Sequence, residues 1–390
     1  MQKKKFLNYG KAFGLIKMTK KRVKMSPYSE RYHSDNIVYL SYAGRAVPLT
    51  NGIDPLKGYN KLRQGVAIFD VPEKPLSIKG PDAGKFMDNV FTRRVSAMRP
   101  MRALYALACL PDGGILMDGV VIRLAEDHFW FVQADGEFQV WLDAHASTFD
   151  VRIEDPKSHV LQIQGPMSLD VLAKASGTSL SENLRYFNCA YFDIGNQSVL
   201  VSRTGWRGEV GVEIYGCDGI DHLALWDAIF EAGKSFDLTW HAADAMGTRR
   251  IEAGIFDNGT DLDKGLTPSM AGLEKFVDFG NETFIGREAL LSSKPQRLLF
   301  GIMTDSLIPT SNFEVHKNEK IVGKITAGDW SPELNCGIGY VRFYEPNNIS
   351  ETWLHQKVLI KDTTNSFFEA EVVDLPFFDK DKTIPKGSGC

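Results

Sequence analysis

A carboxylate set in the middle of an apolar run is costly, and one such residue stands out in this chain. The segment Gly113-Gly-Ile-Leu-Met-Asp-Gly-Val-Val121 places Asp118 among residues that would otherwise form a buried strand. Burying that charge costs several kcal/mol unless it is paired or hydrogen-bonded. The plainer alternative is an aspartate at a turn or strand edge before Gly119. A second segment, Ser202-Arg-Thr-Gly-Trp-Arg-Gly-Glu-Val-Gly-Val-Glu-Ile-Tyr215, carries Gly205, Gly208 and Gly211. Glycines at that density let the backbone turn tightly and present Trp206 and Glu213 from a loop and the following strand. A glycine-rich hairpin with an incidental tryptophan is the alternative. A third stretch joins Arg249-Arg-Ile-Glu-Ala-Gly254 to Gly265–Glu274 and to Phe284-Ile-Gly-Arg-Glu-Ala-Leu290. By itself it is a helix with surface ion pairs and a loop.

Other chemistries are missing. The sequence has no P-loop, no dinucleotide-binding glycine fingerprint, no nucleophile elbow and no zinc-binding helix motif. Its eight histidines are scattered without metal-ligand spacing, so no metal site is expected. Any catalysis must rest on carboxylates, aromatic rings and binding geometry. A net charge of −4 and a pI near 6.1 give no call for nucleic acid. No run approaches the roughly 18 apolar residues of a membrane span. The five cysteines lack metal or redox spacing and read as reduced thiols of a cytoplasmic protein. The first 24 residues carry nine Lys/Arg and no acid, which reads as a basic leader or an upstream start before Met18 or Met25.

The positioning elements follow from periodicity. Leu76-Ser-Ile-Lys-Gly-Pro-Asp-Ala83 and Leu161-Gln-Ile-Gln-Gly-Pro-Met-Ser168 are each an alternating strand, a Gly-Pro corner and the start of an amphipathic helix. The repeat suggests two related α+β units side by side. Strands are expected at Ala103–Leu110, Gly119–Leu124 and Phe129–Ala134, with a turn at Pro111-Asp-Gly-Gly114 and a helix over Phe138–Thr148. A second meander follows at Ala190–Ile194, Ser198–Arg203 and Val210–Tyr215, then helices over Asp221–Phe236 and Ala242–Ile255. From Arg297 the pattern is all strand and turn: Leu298–Met303, Lys320–Ala327, Gly337–Phe343, Lys357–Ile360 and Phe367–Val373. The fold class is therefore α+β with a C-terminal β-barrel or roll. The expected parts are a disordered leader (1–25), a discontinuous α+β domain (26–70 and 160–290), a second α+β domain (71–159), the barrel (291–378) and a disordered tail (379–390). A ligand pocket belongs where the domains meet.

Taken together, the three segments resemble the glycine-cleavage T-protein (aminomethyltransferase) family. Its pattern includes G-G-x-x-D-D, S-R-T-G-Y-T-G-E-x-G-F-E-I-Y, R-L-E-A-G and F-I-G-R-E-A-L, in the order found here over roughly residues 40 to 376. The resemblance implies a three-domain cloverleaf with tetrahydrofolate in a central hole. Three departures stand out. The family's F-D-x-S-H-M is replaced by Phe69-Asp-Val-Pro-Glu-Lys-Pro75, its acidic pair by Met117-Asp118, and its usual tyrosine by Trp206. These departures resemble the dimethylsulfoniopropionate demethylase branch. Carried over by position, Asp118 matches the catalytic or folate-orienting aspartate and Glu213 the glutamate at the pterin edge. Tyr105 and Arg250 match residues near the folate, and Trp206 is expected against folate or substrate.

The reaction this implies is methyl transfer from a small methylated donor, dimethylsulfoniopropionate first among them, to N5 of tetrahydrofolate. A sulfonium leaves without a general acid, so alignment is the enzyme's main task, worth roughly 7–11 kcal/mol in favourable cases. Its cation would be met by aromatic faces, for which Tyr42, Tyr186, Phe187, Trp206 and Tyr215 are candidates. The alternatives are an aminomethyltransferase working with a lipoyl carrier protein, a demethylase of another amine or methoxy compound, and a non-catalytic folate-binding relative.

Overall fold

Both Gly-Pro corners turn a strand into a helix, but each does so in a different sheet. The computed structural model describes residues 22–133, 135–180, 184–294, 296–347 and 352–387. Strand Lys74–Lys79 with helix Ala83–Val90 belongs to a five-stranded sheet, ordered Arg102–Cys109, Ile115–Ala125, His128–Gln133, Lys74–Lys79, Arg152–Glu154. Strand His159–Gln164 with helix Ser168–Ser176 belongs to a six-stranded sheet. Its order is Cys189–Ile194, Gln197–Ser202, Gly211–Gly216, His159–Gln164, Ala67–Val71 and, parallel to the last, Thr239–Trp240. The chain crosses from one sheet to the other at residues 72–73. A small three-stranded sheet pairs Arg45–Thr50 with Val38–Tyr42 and with Lys24–Met25.

Each sheet buries one face under helices. Val171, Leu172, Leu225, Trp226 and Ile229 close over the six-stranded sheet, and Phe86, Met87, Val90, Phe138 and Leu142 over the five-stranded one. Helix His222–Gly233 starts where Asp221 accepts from the N–H groups of Leu223 and Ala224, an N-cap worth about 1 kcal/mol. The C-terminal strands Leu299–Thr304, Cys336–Phe343, Lys320–Ser331, Glu314–Lys317, Lys357–Lys361 and Phe367–Val373 close into a six-stranded barrel, which leaves no free edge. The mixed α+β architecture with a closed C-terminal barrel is the one the sequence implies.

Several bounds differ. Lys24 and Met25 pair with Arg45 and Ala46, so they are a strand where a disordered leader was expected. The tail is also ordered: Asp379 caps a helical turn over Thr383–Lys386, accepting from the N–H groups of Thr383 and Ile384. Residues 1–21 and 388–390, Cys390 among them, lie outside the described residues. Strand Ile115–Ala125 starts four residues before the expected Gly119, which puts Asp118 inside a strand. Strand Glu314–Lys317 was not expected, since Val315 is its only apolar residue and gives no alternation to read.

A buried charge network ties the parts together. Helix Asp244–Glu252 runs between the six-stranded sheet and the barrel. Arg249, 1% exposed, donates to Glu209 at 2.5 Å, to the Gly208 carbonyl at 2.8 Å and to Glu252 at 3.5 Å. Glu252, fully buried, also accepts from Tyr59 of helix Pro55–Gln64 at 2.9 Å and from Ser331 of the barrel at 2.6 Å. Removing one member of a buried pair costs about 3–5 kcal/mol, because the remaining charge is left unmatched. Glu252→Ala is expected to lower the urea midpoint of unfolding by a corresponding amount, and Glu252→Gln by markedly less. Equal midpoints for Glu252→Ala and wild type would show that the network does not join the domains.

Candidate functional site

Asp118 opens onto a cavity of about 680 Å³. The cavity lies between the two sheets and is closed on other sides by residues 243–257 and by Phe378, Lys382 and Pro385 of the C-terminal segment. Of the barrel strands, none contributes to its wall.

Asp118 sits on strand Ile115–Ala125 with Arg102–Cys109 on one side and His128–Gln133 on the other. The Tyr105 hydroxyl donates to its Oδ2 at 2.9 Å, and Oδ1 is buried with no partner. Burial raises its pKa to about 6, against the opposing influence of Tyr105 and the nearby Asn258 side chain. Gly119 permits this packing: a Cβ there would stand 2.4 Å from the Val132 carbonyl and 2.8 Å from the Phe131 ring. The Tyr105 ring is held edge-on to Phe276 at 4.8 Å. Beside it Asp257, raised by burial, accepts from Tyr42 at 3.3 Å and from Thr260 at 2.8 Å.

On another part of the wall Glu213 accepts from Gln162 at 2.8 Å, Thr204 at 2.5 Å and Tyr215 at 3.0 Å. The same Gln162 amide donates to Glu73 at 2.9 Å. Burial and the neighbouring Glu213 push the Glu73 carboxyl up to about 8.

The glycine-rich segment delivers Trp206 and Arg207. Gly208 takes φ +63°, and a Cβ there would meet the Ala253 side chain at 2.6 Å. The Trp206 indole N–H donates to the Phe256 carbonyl at 3.1 Å. The Arg207 and Arg250 guanidinium carbons stand 4.2 and 5.1 Å from its ring centroid. Arg207 is 4% exposed and donates to the Trp206 carbonyl. No carboxylate comes within salt-bridge distance of it among the described residues. Burial lowers its pKa to about 9, which leaves it charged at neutral pH.

The cavity wall thus brings together Asp118, Tyr105, Trp206, Glu213, Tyr42, Tyr186 and Phe187. Two sequence candidates stand off it. Tyr215, 1% exposed, spends its hydroxyl on Glu213 and sets its ring edge-on to Trp130. Arg250 stands behind Trp206, paired with Asp261 at 2.6 Å and donating to the Ile255 carbonyl. Wall residues not singled out include Glu73, Gln133, Arg207 and Asp257. Of these, Glu73 and Arg207 lie inside segments already marked as unusual, Glu73 within a departure from the family pattern. Nothing in the sequence marks Asp257.

Four side chains of the wall carry a buried polar atom with no partner: Asp118 Oδ1, Glu73 Oε2, Gln133 Oε1 and Arg207 Nε. Asp118 Oδ1 and Gln133 Oε1 are acceptors, Arg207 Nε is a donor, and the Glu73 carboxyl, raised to about 8, can act as either. A wall of that kind suits a ligand rich in N–H groups. No cluster of His, Cys, Asp and Glu able to hold a metal occurs among the described residues. Nor does any described helix have the length and apolarity to cross a membrane.

Two sheets flanking such a cavity, with a closed barrel beside them, match a known family. Residues 56–281 match the GCVT N-terminal domain, and residues 297–379 match the glycine cleavage T-protein C-terminal barrel domain. The chain is 32% identical to an aminomethyltransferase of Clostridium botulinum (strain Loch Maree / Type A3) over 362 residues, 88% of this chain and 96% of that one. It is also 32% identical to an aminomethyltransferase of Thermoanaerobacter sp. (strain X514) over 327 residues, 81% and 88% of the two chains. The solved glycine cleavage system aminomethyltransferase T from Bartonella henselae superposes with a TM-score of 0.81 at 25% identity, covering 92% of this chain and 98% of that one. The chain belongs to the glycine-cleavage T-protein family and is an enzyme of that family.

Asp118 allows a test that separates function from stability. Its raised pKa means that ionisation weakens the fold: the penalty is absent below about pH 4 and complete above about pH 6, at about 2–3 kcal/mol. Asp118→Asn is expected to be more stable than wild type at pH 8, equal to it at pH 4, and to turn over at least a hundredfold more slowly. Thermal melts at the two pH values and a turnover assay check this; near-normal turnover would remove Asp118 from the chemistry.

Proposed function

We propose that this chain transfers a one-carbon group to tetrahydrofolate held in the 680 Å³ cavity. The observation that carries the reading is the pair of unmet acceptors on Asp118 and Gln133, since a reduced pterin presents ring and exocyclic N–H groups in number. Tetrahydrofolate supplies the nucleophilic nitrogen that receives the carbon. Asp118 would hold a folate N–H through Oδ1, fixed in place by the Tyr105 hydroxyl on Oδ2. Its negative charge favours the positive charge that develops on the attacking nitrogen, and burial strengthens that effect. Tyr105, Phe276 and Trp206 keep water from the reacting groups. No general acid is required of the protein beyond these groups.

The relatives' shared name supports an aminomethyl group as the unit transferred; in this reading a lipoyl carrier protein presents it. One observation favours a second reading, a small free donor bearing a carboxylate. Arg207 stands where the family pattern has threonine, charged, buried and without an acid partner. A planar guanidinium suits a carboxylate. Dimethylsulfoniopropionate and N-methylated amino acids have that group. Trp206 is less suited to the onium end of such a donor than the sequence suggests, because two arginines already lie within cation–π range of its ring.

The two donors differ in oxidation level and therefore in product. Incubation with tetrahydrofolate and an aminomethyl-loaded carrier is expected to give a methylene-level folate. Incubation with dimethylsulfoniopropionate, betaine or sarcosine gives 5-methyltetrahydrofolate if the second reading holds. Absence of any folate product with all donors would overturn one-carbon transfer. Should a carboxylated donor be used, Arg207→Gln is expected to raise its KM at least tenfold, and an unchanged KM would dismiss Arg207 as its anchor.

A further inference from the structure

We propose that Arg207 and Asp257 form a two-ended site for a zwitterionic methyl donor, in which Arg207 takes the carboxylate and Asp257, together with the Tyr42 ring, takes the onium cation. This rests on the reading of a small free donor bearing a carboxylate, and adds the residue that binds the donor's other end.

The placement of charge carries the inference. Arg207 and Asp257 both line the cavity, and Asp257 acts on the Arg207 guanidinium without coming within salt-bridge distance of it. Among the described residues Asp257 has no lysine or arginine within that distance either. The cation that acts on it most strongly, Arg250, is already paired with Asp261 at 2.6 Å. An anion and a cation that face one cavity without meeting are complementary to a ligand that carries both charges. Such a ligand brings each its missing partner, and out of water that attraction is strengthened. The anionic end is firmly held. The Asp257 N–H donates to Asp261 Oδ2 at 2.9 Å, and its carbonyl accepts from the Asp261 N–H at 2.8 Å. Thr326 of the barrel donates to Asp261 Oδ1 at 2.6 Å, so the turn that carries Asp257 is tied to a closed sheet.

Tyr42 marks the onium end. It lines the cavity and its hydroxyl donates to Asp257 at 3.3 Å. The groups that act on it most strongly are all carboxyls, those of Asp257, Glu73, Asp118 and Asp135. An aromatic face in negative surroundings attracts a cation, whereas the Trp206 face already has two arginines against it. A sulfonium or quaternary ammonium has no N–H to donate. Asp257 can therefore keep the hydroxyls of Tyr42 and Thr260 and act on such a cation through its charge alone. The reaction then changes the charge that is recognised. The methyl carbon bonds to the folate nitrogen, the electrons of the broken carbon–sulfur bond stay on sulfur, and the nitrogen's proton passes to water. A sulfonium donor is left as a neutral thioether with a carboxylate, to which Asp257 offers no attraction, so transfer itself favours product release.

The experiment is calorimetric titration of the full chain without tetrahydrofolate, so that no methyl group is transferred. The probes are the zwitterions dimethylsulfoniopropionate, glycine betaine and sarcosine, and 3-(methylthio)propionate, which keeps the carboxylate but has a neutral sulfur. Wild type is expected to bind at least one zwitterion roughly tenfold or more tightly than the thioether acid. Asp257→Asn still accepts from Tyr42 and Thr260. It should lose roughly tenfold or more for that zwitterion and bind the thioether acid no more weakly than wild type does. Arg207→Gln should weaken both, and circular dichroism checks the fold of each variant. The proposal is overturned if wild type prefers no zwitterion to the thioether acid. It is equally overturned if the folded Asp257→Asn binds the zwitterion as wild type does, or weakens both probes alike. A wild-type chain that binds neither the zwitterions nor the thioether acid would instead overturn the carboxylated-donor reading, a result distinct from any loss confined to the onium end.

Discussion

The structure depends on one guanidinium that has no access to water. Arg249 is 1% exposed, and a charge so placed must find its counter-charges within the protein. It finds them on two different pieces of chain: Glu209 and the Gly208 carbonyl from the glycine-rich loop, and Glu252 from its own helix. Glu252 in turn collects hydroxyls from Tyr59 and from Ser331 of the barrel. The barrel lends nothing to the cavity wall, yet through this network it helps fix the loop that carries Trp206 and Arg207. Tyr340 adds to the same joint, its hydroxyl lying within reach of the carbonyls of Arg250, Ile251 and Ile255.

The cavity follows the opposite rule. Around Arg249 nearly every polar atom is matched, whereas Asp118, Glu73, Gln133 and Arg207 each keep one that is not. A fold gains nothing from such atoms; each costs about 1–3 kcal/mol in the absence of a partner. Their gathering on one wall is what separates a binding site from a packing defect. Raised carboxyls at Asp118 and Glu73 have the same cause, burial without sufficient compensation, and shifted groups clustered in a cleft are a mark of function.

Family membership and donor identity are carried by different residues. The acceptors that suit a folate, on Asp118 and Gln133, lie on adjacent strands of the five-stranded sheet. Apart from Met117 beside Asp118, the departures from the family pattern fall at residues 72–75 and at Trp206-Arg207. A chain can thus keep its folate chemistry while the neighbouring wall is altered to admit a different donor, because the two sets of contacts come from separate segments.

How much was legible in the sequence follows from the range of the forces involved. Periodicity and turn chemistry are local, so the Gly-Pro corners, both meanders and the barrel strands could be read directly, with errors at ends such as Ile115 and Ser331. The short strand Glu314–Lys317 escaped because a single apolar residue has no period. Asp118 was legible because a carboxylate in an apolar run conflicts with its own neighbours. Glu213 and Trp206 were legible through their glycine-rich frame. Glu73, Gln133, Arg207 and Asp257 reach the cavity from four separate segments, and only packing brings them to one wall. The same holds for the two residues that fell off it. Nothing local tells that Tyr215 turns its hydroxyl to Glu213, or that Arg250 is drawn behind Trp206 by Asp261. The sequence determined the fold class, the family and the oddity of Asp118. Tertiary structure alone decided which polar atoms remain unpaired, since that depends on partners distant in the chain and on the exclusion of water between them.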